Sequence, residues 1–310
     1  MLSQLKIVIV GIGGIGGTIG CKLAQYKKED VNFFCRGVTL EKLLSDGLEF
    51  RSDNNFCVIH PNIATNDPHK IGHADVVIFA VKNYGLESAA KDIAPMIGKE
   101  TVIIPLLNGL DAERKLKEIF TGAEVLGGCI YVSAFVISPG IVRQNGSVLK
   151  VLFGNSDLTQ EENLKRYSVI LDIFEAAGID TTLTSGIENE MWIKFIMISG
   201  LGTASSFYMR NLGELFAHED SADMFKGLVR EIVSVAEAKG VALPENMESE
   251  TLKKCLSFTP ESKTSMQLDF EKGGGNELEA LTGYVCEEAR KLGIAVPLYE
   301  GAYNKLKNIK

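Results

Sequence analysis

Lys6-Ile-Val-Ile-Val-Gly-Ile-Gly-Gly-Ile-Gly16 decides how the rest of this 310-residue chain is read. The residues after Lys6 are β-branched and apolar at every position up to Val10, which describes a strand buried on both faces. That strand runs directly into Gly11-Ile12-Gly13-Gly14-Ile15-Gly16 and then into a helix-compatible stretch ending near Tyr26. In such a strand, loop and helix, Gly11 permits the tight turn, Gly13 lets the backbone approach a pyrophosphate, and Gly16 lets the helix pack close on the strand. The helix N-terminus then favours the phosphate charge. A glycine-rich turn without a ligand is the plain alternative, but the strand before and the helix after are what the phosphate-binding mechanism requires.

Outward from this loop, short β-rich apolar runs alternate with helical patterns up to about residue 184. The runs are KIVIV (6–10), VNFF (31–34), DVVIFAV (75–81), TVIIPLL (101–107) and EVLGGCIYVSAFV (124–136). Strands apolar on both faces and separated by amphipathic helices require a parallel sheet covered on both sides, so residues 1–184 are expected to form a doubly wound (Rossmann) α/β domain that binds the dinucleotide. After about Ser185 the β-rich runs stop and helical periods follow at 188–199, 221–239, 249–256 and 276–292. Gly240, Pro244, Pro260, Gly273-Gly274-Gly275 and Gly293 punctuate them. Residues 185–310 are therefore expected to be an all-helical substrate and catalytic domain, with a substrate cleft between the two domains.

The end of the second strand bears on the cofactor. An acid there would bind a ribose 2′-hydroxyl and repel a 2′-phosphate, whereas this chain continues Phe34-Cys35-Arg36. A guanidinium matches phosphate in charge and geometry, so NADP is the expected cofactor, unless Arg36 is only a solvated loop cation.

Composition narrows the remaining classes. The formal net charge of -8 and the lack of a Lys/Arg cluster with interleaved aromatics argue against nucleic acid as a partner. Six cysteines without a CxxC pair suggest neither a disulfide framework nor a zinc site, and fit reduced thiols in a cytoplasmic protein. The uncharged stretch from Val125 to Val142 is broken by Gly127, Gly128 and Ser138-Pro139-Gly140 into strand-length pieces, and no targeting pattern precedes Lys6, so no membrane segment is expected.

Taken together, GIGGIG (11–16), FAVKNY (79–84), LLNGL (106–110), SPGIVRQNG (138–146), MWIKF (191–195), SMQLDFEKGGGNELE (265–279) and KLGIAVPLYE (291–300) resemble the ketopantoate reductase (2-dehydropantoate 2-reductase) family over nearly the whole chain. The resemblance implies NADPH-dependent reduction of a 2-oxo acid to the 2-hydroxy acid, with ketopantoate the favoured substrate, in pantothenate biosynthesis. It places Lys82 on the cofactor, and Asn108, at the end of the next strand, can offer an amide donor and acceptor to the nicotinamide or the substrate carbonyl. By residue type alone, Lys82 reads equally as a solvated strand end, and Asn108-Gly109 as turn chemistry. Lys194 is the one cation in an almost wholly apolar helical stretch from Met191 to Ile198. The resemblance makes it the general acid that polarises the keto oxygen; the alternative is a lysine snorkelling to solvent. Glu277, opening a helix after the three glycines, would hold the substrate hydroxyl and orient the lysine, although a Glu in a first turn also suits the helix dipole. Ser265 would meet the substrate carboxylate, and by itself reads as a helix cap.

The chain also departs from the family, which carries asparagines one and two helical turns after the lysine. Here those positions are Ile198 and Gly202, with Ser199, Ser205, Ser206 and Asn211 nearby as unaligned substitutes. Fewer polar partners on that helix keep open a reductase of another branched 2-oxo acid. A non-catalytic NADP sensor is the reading from another class, and it leaves Lys194 and Glu277 unexplained. The expected partner is a small-molecule 2-oxo acid; a homodimer is compatible with this reading.

Overall fold

The computed structural model describes residues 5–309, apart from the side chain of Glu29. The chain divides into two compact units, Met1–Leu107 with Asp111–Ile187, and Asn108–Leu110 with Glu188–Lys310. Among the described residues the strands, all in the first unit, are β1 (Ile7–Val10), β2 (Val31–Phe34), β3 (Leu48–Arg51), β4 (Phe56–Ile59), β5 (Ile63–Thr65), β6 (Val76–Phe79), β7 (Val102–Pro105), β8 (Glu124–Val125), β9 (Gly127–Ser138), β10 (Ile141–Gly154) and β11 (Asp180–Leu183). The same unit holds α1 (Gly14–Tyr26), α2 (Gly37–Asp46), α3 (Pro68–Ile71), α4 (Leu86–Ile93), α5 (Ala112–Ile119) and α6 (Gln160–Ala176).

Six strands form a parallel sheet in the order β5-β2-β1-β6-β7-β8, the doubly wound arrangement expected from the glycine loop. The central strand shows why it must be apolar on both faces. Ile7 and Ile9 enter a core with Ile19 and Leu23 of α1, Phe50 of β3, Val151 and Phe153 of β10, and Phe174 of α6. Val8 and Val10 enter a second core with Leu86, Ala90 and Ile93 of α4 and Leu116 of α5. Each fully buried side chain of this kind contributes about 1.5–3 kcal/mol relative to exposure.

The sequence reading of a single fifth strand over 124–136 needs correction. Only β8 joins the parallel sheet; from Gly127 the chain becomes β9, an antiparallel partner of β10 in a separate mixed sheet ordered β11-β10-β3-β4. The glycine pair makes the change possible: a Cβ on Gly128 would lie 2.6 Å from the Pro105 carbonyl oxygen, so only glycine lets the strand pass that close. This second sheet is absent from the sequence reading because β3, β4 and β11 are only four residues long and β10 mixes the exposed stretch Asn145 to Val148 with its buried end at Val151 to Phe153.

The sheet presses on α1 from one side while the glycine loop holds it from the other. A Cβ on Gly14 would overlap the Ala134 carbonyl, one on Gly16 the Gly11 carbonyl, and one on Gly17 would lie 2.6 Å from Val142. Glycine at these places is a packing requirement, since interiors are close-packed and one methyl group is felt.

The second unit contains α7 (Ile187–Tyr208), α8 (Leu212–Ala217), α9 (Glu219–Ala238), α10 (Met247–Leu256), α11 (Ser265–Lys272), α12 (Tyr284–Leu292) and α13 (Pro297–Leu306), and no strand among the described residues. Helix α7 runs nine residues beyond its expected end at Ser199. Gly200 and Gly202 are tolerated inside it because both are buried, with Gly200 facing Val229 and Phe225. The single helix expected over 276–292 instead begins with a π-turn, Glu279–Gly283, before α12. Helices α8 and α13 are not expected from the sequence, and α11 is foreshadowed only by the reading of Ser265 as a cap. No helix among the described residues is long and apolar enough to cross a membrane.

Asn163 generates a stability prediction for the first unit. Its buried amide accepts from the Asn155 backbone N–H at 2.8 Å and donates to the carbonyls of Asn155 at 2.9 Å and Thr159 at 3.1 Å, tying the end of β10 to α6. Asn163→Ala should destabilise that unit by about 2–4 kcal/mol in denaturant titration, because several backbone groups lose their buried partner together. A loss below about 0.5 kcal/mol would contradict this account.

Candidate active site

In the first unit, the carboxyl ends of β2, β1 and β6 lie side by side, because these strands are parallel and in register from Ile7, Val31 and Val76. Arg36, the glycine loop and Lys82 follow these three strand ends. Gly11 turns the chain at φ +90°, where a side chain is strained, and its N–H donates to the Phe34 carbonyl at 3.0 Å. Ile12 is buried and Ile15 half buried, anchoring the loop. Gly13 differs from its neighbours: a Cβ there would meet nothing within 4 Å, so nothing in the protein requires glycine at that position. It precedes the first turn of α1, which has no side-chain cap and no acid. Uncapped N–H groups beside open space and a glycine that leaves room for close approach fit the pyrophosphate of a dinucleotide.

Arg36 is the residue just before α2, with its side chain 74% exposed and its guanidinium 3.9 Å from the Asp92 carboxylate. The chain has no acid next to Arg36, but the fold brings one from the end of α4. An exposed pair at that distance is worth little, so the guanidinium is available to a phosphate. Lys82 is half buried, and its carbonyl accepts from the Gly85 N–H at 2.8 Å.

The second unit joins three residues far apart in the chain. Lys194 of α7 donates from Nζ to Asn108 Oδ1 at 3.1 Å, and Asn108 Nδ2 donates to Glu277 Oε2 at 3.3 Å. An ammonium can only donate and a carboxylate accepts, so the two contacts fix which way round the Asn108 amide lies. Lys194 is 6% exposed and Glu277 3%. The snorkelling alternative therefore fails, and a buried cation here has polar company.

Packing fixes the elements that carry these groups. Trp192 and Phe195 of α7 set their rings against Tyr284, with centroids 6.3 and 5.4 Å apart. Ser199 Oγ donates to the Leu281 carbonyl at 3.1 Å and lies 2.9 Å from Tyr299 Oη, and the hydroxyls of Thr203 and Thr282 are 2.8 Å apart. Leu281 and Thr282 belong to the π-turn, a local irregularity often found at functional sites. Glu277 just precedes it: its carbonyl accepts from the Leu281 N–H at 3.0 Å, while the side chain of Asn276 accepts from the Leu278 N–H at 3.1 Å. Asn276 is singled out by the fold alone, because the sequence gives it only as the first residue of an expected helix.

Ser265 is not the cap of its helix. Thr264 is, accepting from the Gln267 N–H at 3.3 Å, and Ser265 is the exposed first helical residue. Two hydroxyl residues in succession cannot be told apart by sequence; the fold decides because Thr264 also pairs with Ser205 at 2.7 Å.

Ile198 lies one turn beyond Lys194 and is half buried, and Gly202 lies two turns beyond. A Cβ on Gly202 would lie 3.6 Å from both Leu281 and Met266, so the space next to it is apolar. The unaligned substitutes do not replace the missing amides. Ser199 and Ser205 are engaged as described, and Asn211 caps α8 by accepting from the Glu214 N–H at 2.9 Å. Ser206 is buried with no hydrogen-bond partner. No group of three or more His, Cys, Asp or Glu able to hold a metal occurs among the described residues.

Comparison with known proteins gives the family. The family model described as ketopantoate reductase PanE/ApbA matches residues 7–157, and the model of its C-terminal part matches residues 186–310. An uncharacterized oxidoreductase of Bacillus subtilis, YkpB, is 30% identical over 302 residues, covering 97% of this chain and 98% of that one. A 2-dehydropantoate 2-reductase of Halobacterium salinarum is 28% identical over 297 residues, 95% of each chain. The crystal structure of 2-dehydropantoate 2-reductase from Porphyromonas gingivalis W83 superimposes with a TM-score of 0.85 at 27% identity, covering 99% of this chain and 100% of that one. With both family models spanning most of its length, the chain belongs to the ketopantoate reductase family of oxidoreductases.

Proposed function

We propose that this protein reduces the keto group of a 2-oxo acid with NADPH, with ketopantoate as the favoured substrate and pantoate as product. The observation that carries the proposal is the buried chain from Lys194 through Asn108 to Glu277. In this reading residues 1–184 bind the cofactor and residues 185–310 carry the substrate chemistry. A reduced nicotinamide supplies the hydride when bound. The glycine loop and α1 N-terminus would hold the pyrophosphate, Arg36 the 2′-phosphate, and Lys82 and Asn108 further parts of the cofactor.

The chain's own chemistry is then acid catalysis. The Lys194 ammonium hydrogen-bonds the keto oxygen, stabilises the negative charge that grows there, and gives up its proton to form the alcohol. Asn108, accepting from Lys194 and donating to Glu277, holds the ammonium in one direction and so limits reorganisation during the reaction. Glu277 accepts from the substrate hydroxyl, and Ser265 meets the substrate carboxylate at the start of α11, where backbone N–H groups favour an anion.

A second reading keeps the reaction and changes the substrate. Half-buried Ile198 and the Leu281 and Met266 side chains beside Gly202 favour an apolar side chain over a hydroxylated one. Ketopantoate and its counterpart lacking the hydroxyl, 3,3-dimethyl-2-oxobutanoate, separate the two: a higher kcat/KM for ketopantoate supports the first reading, and the reverse supports the second.

Lys194→Ala tests the mechanism. Turnover should fall by about two to four decades while NADPH affinity stays within a few-fold of native. Turnover within a few-fold of native on a reactive 2-oxo acid would refute the assignment.

Cofactor choice is tested at Arg36. The native protein should prefer NADPH to NADH, and Arg36→Asp should shift that preference by about two decades, since a charge reversal beside a phosphate is worth a few kcal/mol. Equal use of both cofactors by the native protein would remove the argument.

The loop itself yields a paired outcome. Gly13→Ala should keep the native melting temperature and lose cofactor affinity, because its methyl group meets no protein atom. Gly16→Ala should lower the melting temperature, because its methyl group would overlap the Gly11 carbonyl. Unchanged NADPH binding by a folded Gly13→Ala variant would count against this placement.

A further inference from the structure

None of the six cysteines is in a disulfide, and two of them touch: Cys21 Sγ and Cys57 Sγ are 3.3 Å apart. Cys21 lies on α1 with no exposed surface, and Cys57 lies on β4 and is half buried. Strand β4 is an edge strand of the mixed sheet, and its burial alternates: Phe56 and Val58 are exposed while Cys57 turns toward α1. The two thiols therefore differ in access, and the more accessible one is carried on an element paired on one side only.

We propose that Cys21 and Cys57 form an oxidisable dithiol, a site at which hydrogen peroxide closes a reversible disulfide between α1 and the edge of the mixed sheet. Sulfurs 3.3 Å apart must approach to about 2 Å to bond. Side-chain rotation and a slight shift of an edge strand supply that movement. Burial, followed by the contact with Cys57, pushes the Cys21 thiol far above its ordinary range. Cys21 thus stays protonated and is suited to donate to the Cys57 sulfur. Cys57 is the group that meets the oxidant. Its thiolate attacks one peroxide oxygen, the O–O bond breaks, and with one proton taken up the products are a sulfenic acid on Cys57 and water. The Cys21 proton then passes to the sulfenic oxygen as its sulfur attacks the Cys57 sulfur, the S–O bond breaks, and a second water departs. Both thiols are oxidised, and one peroxide is reduced to two waters.

The test uses the purified full chain and hydrogen peroxide. Mass spectrometry of a non-reducing digest should show one linked species joining the Cys21 and Cys57 peptides, short of two hydrogens and opened by dithiothreitol. The melting temperature should rise on oxidation and return on reduction. Cys57→Ser, a change at a half-buried position, should abolish both effects while leaving Cys21 alkylatable after unfolding. The proposal is overturned if peroxide carries Cys57 on to the sulfinic acid with Cys21 still a free thiol. It is also overturned if Cys57 stays unmodified, or if the link formed joins a different pair.

Discussion

Helix α1 is held at backbone distance from the structure on two sides, and most of the first unit follows from that constraint. The loop before it turns at Gly11, the helix returns over that turn at Gly16, and the mixed sheet lies against it at Gly14 and Gly17. Any side chain at the last three positions would separate layers that the cores on either side need in contact. The central strand β1 feels the result directly, with Ile7 and Ile9 pointing into the layer that contains α1 and the mixed sheet, and Val8 and Val10 pointing away. Gly13 alone among these positions has open space beside it. The stretch that packs the fold and the stretch that can admit a phosphate are therefore the same few residues, separated only by which way each Cα faces.

The helical unit solves a different problem, which is how to keep an ammonium and a carboxylate inside apolar surroundings. Burying an isolated charge is costly enough that such groups are paired or hydrogen-bonded. Here the amide of Asn108 stands between Lys194 and Glu277, and the Thr203–Thr282 hydroxyl pair with the Ser199 bond to the Leu281 carbonyl ties α7 to the π-turn that follows Glu277. The π-turn interrupts the regular bonding of its helix, and the Leu281 carbonyl accepts a bond from Ser199 across the helix pair. A rigid donor aimed at one place is worth more to a reaction than a mobile one, because it needs no rearrangement as charge develops.

Family membership and local chemistry carry different kinds of information about this protein. Membership fixes the reaction class, since it covers nearly the whole chain. In the reading proposed above, the surroundings of Lys194 bear on what is reduced. Ile198 and Gly202 stand along α7 from it, while Ser199 and Ser205 bind other hydroxyls and Asn211 caps a helix. Polar recognition gives such sites most of their discrimination.

Local pattern by itself determined the parallel sheet apart from its edge strand β5, the glycine loop with Arg36 and Lys82 at neighbouring strand ends, and the helical character of the second half. These depend on periodicity and on the steric needs of single residues, which are written into neighbouring positions. It also singled out Lys194, because one cation in an apolar helical stretch is conspicuous at short range. Only the tertiary structure decided that Gly127 and Gly128 lead β9 into a second sheet, that Thr264 and not Ser265 caps α11, and that Asn108 groups with the helical unit. It alone decided that Cys21 touches Cys57, and that Asp92 approaches Arg36. Each of these is set by contacts between residues far apart in the chain, where the free energy comes from packing and partner choice after the chain has folded, and no local pattern records which distant group will arrive.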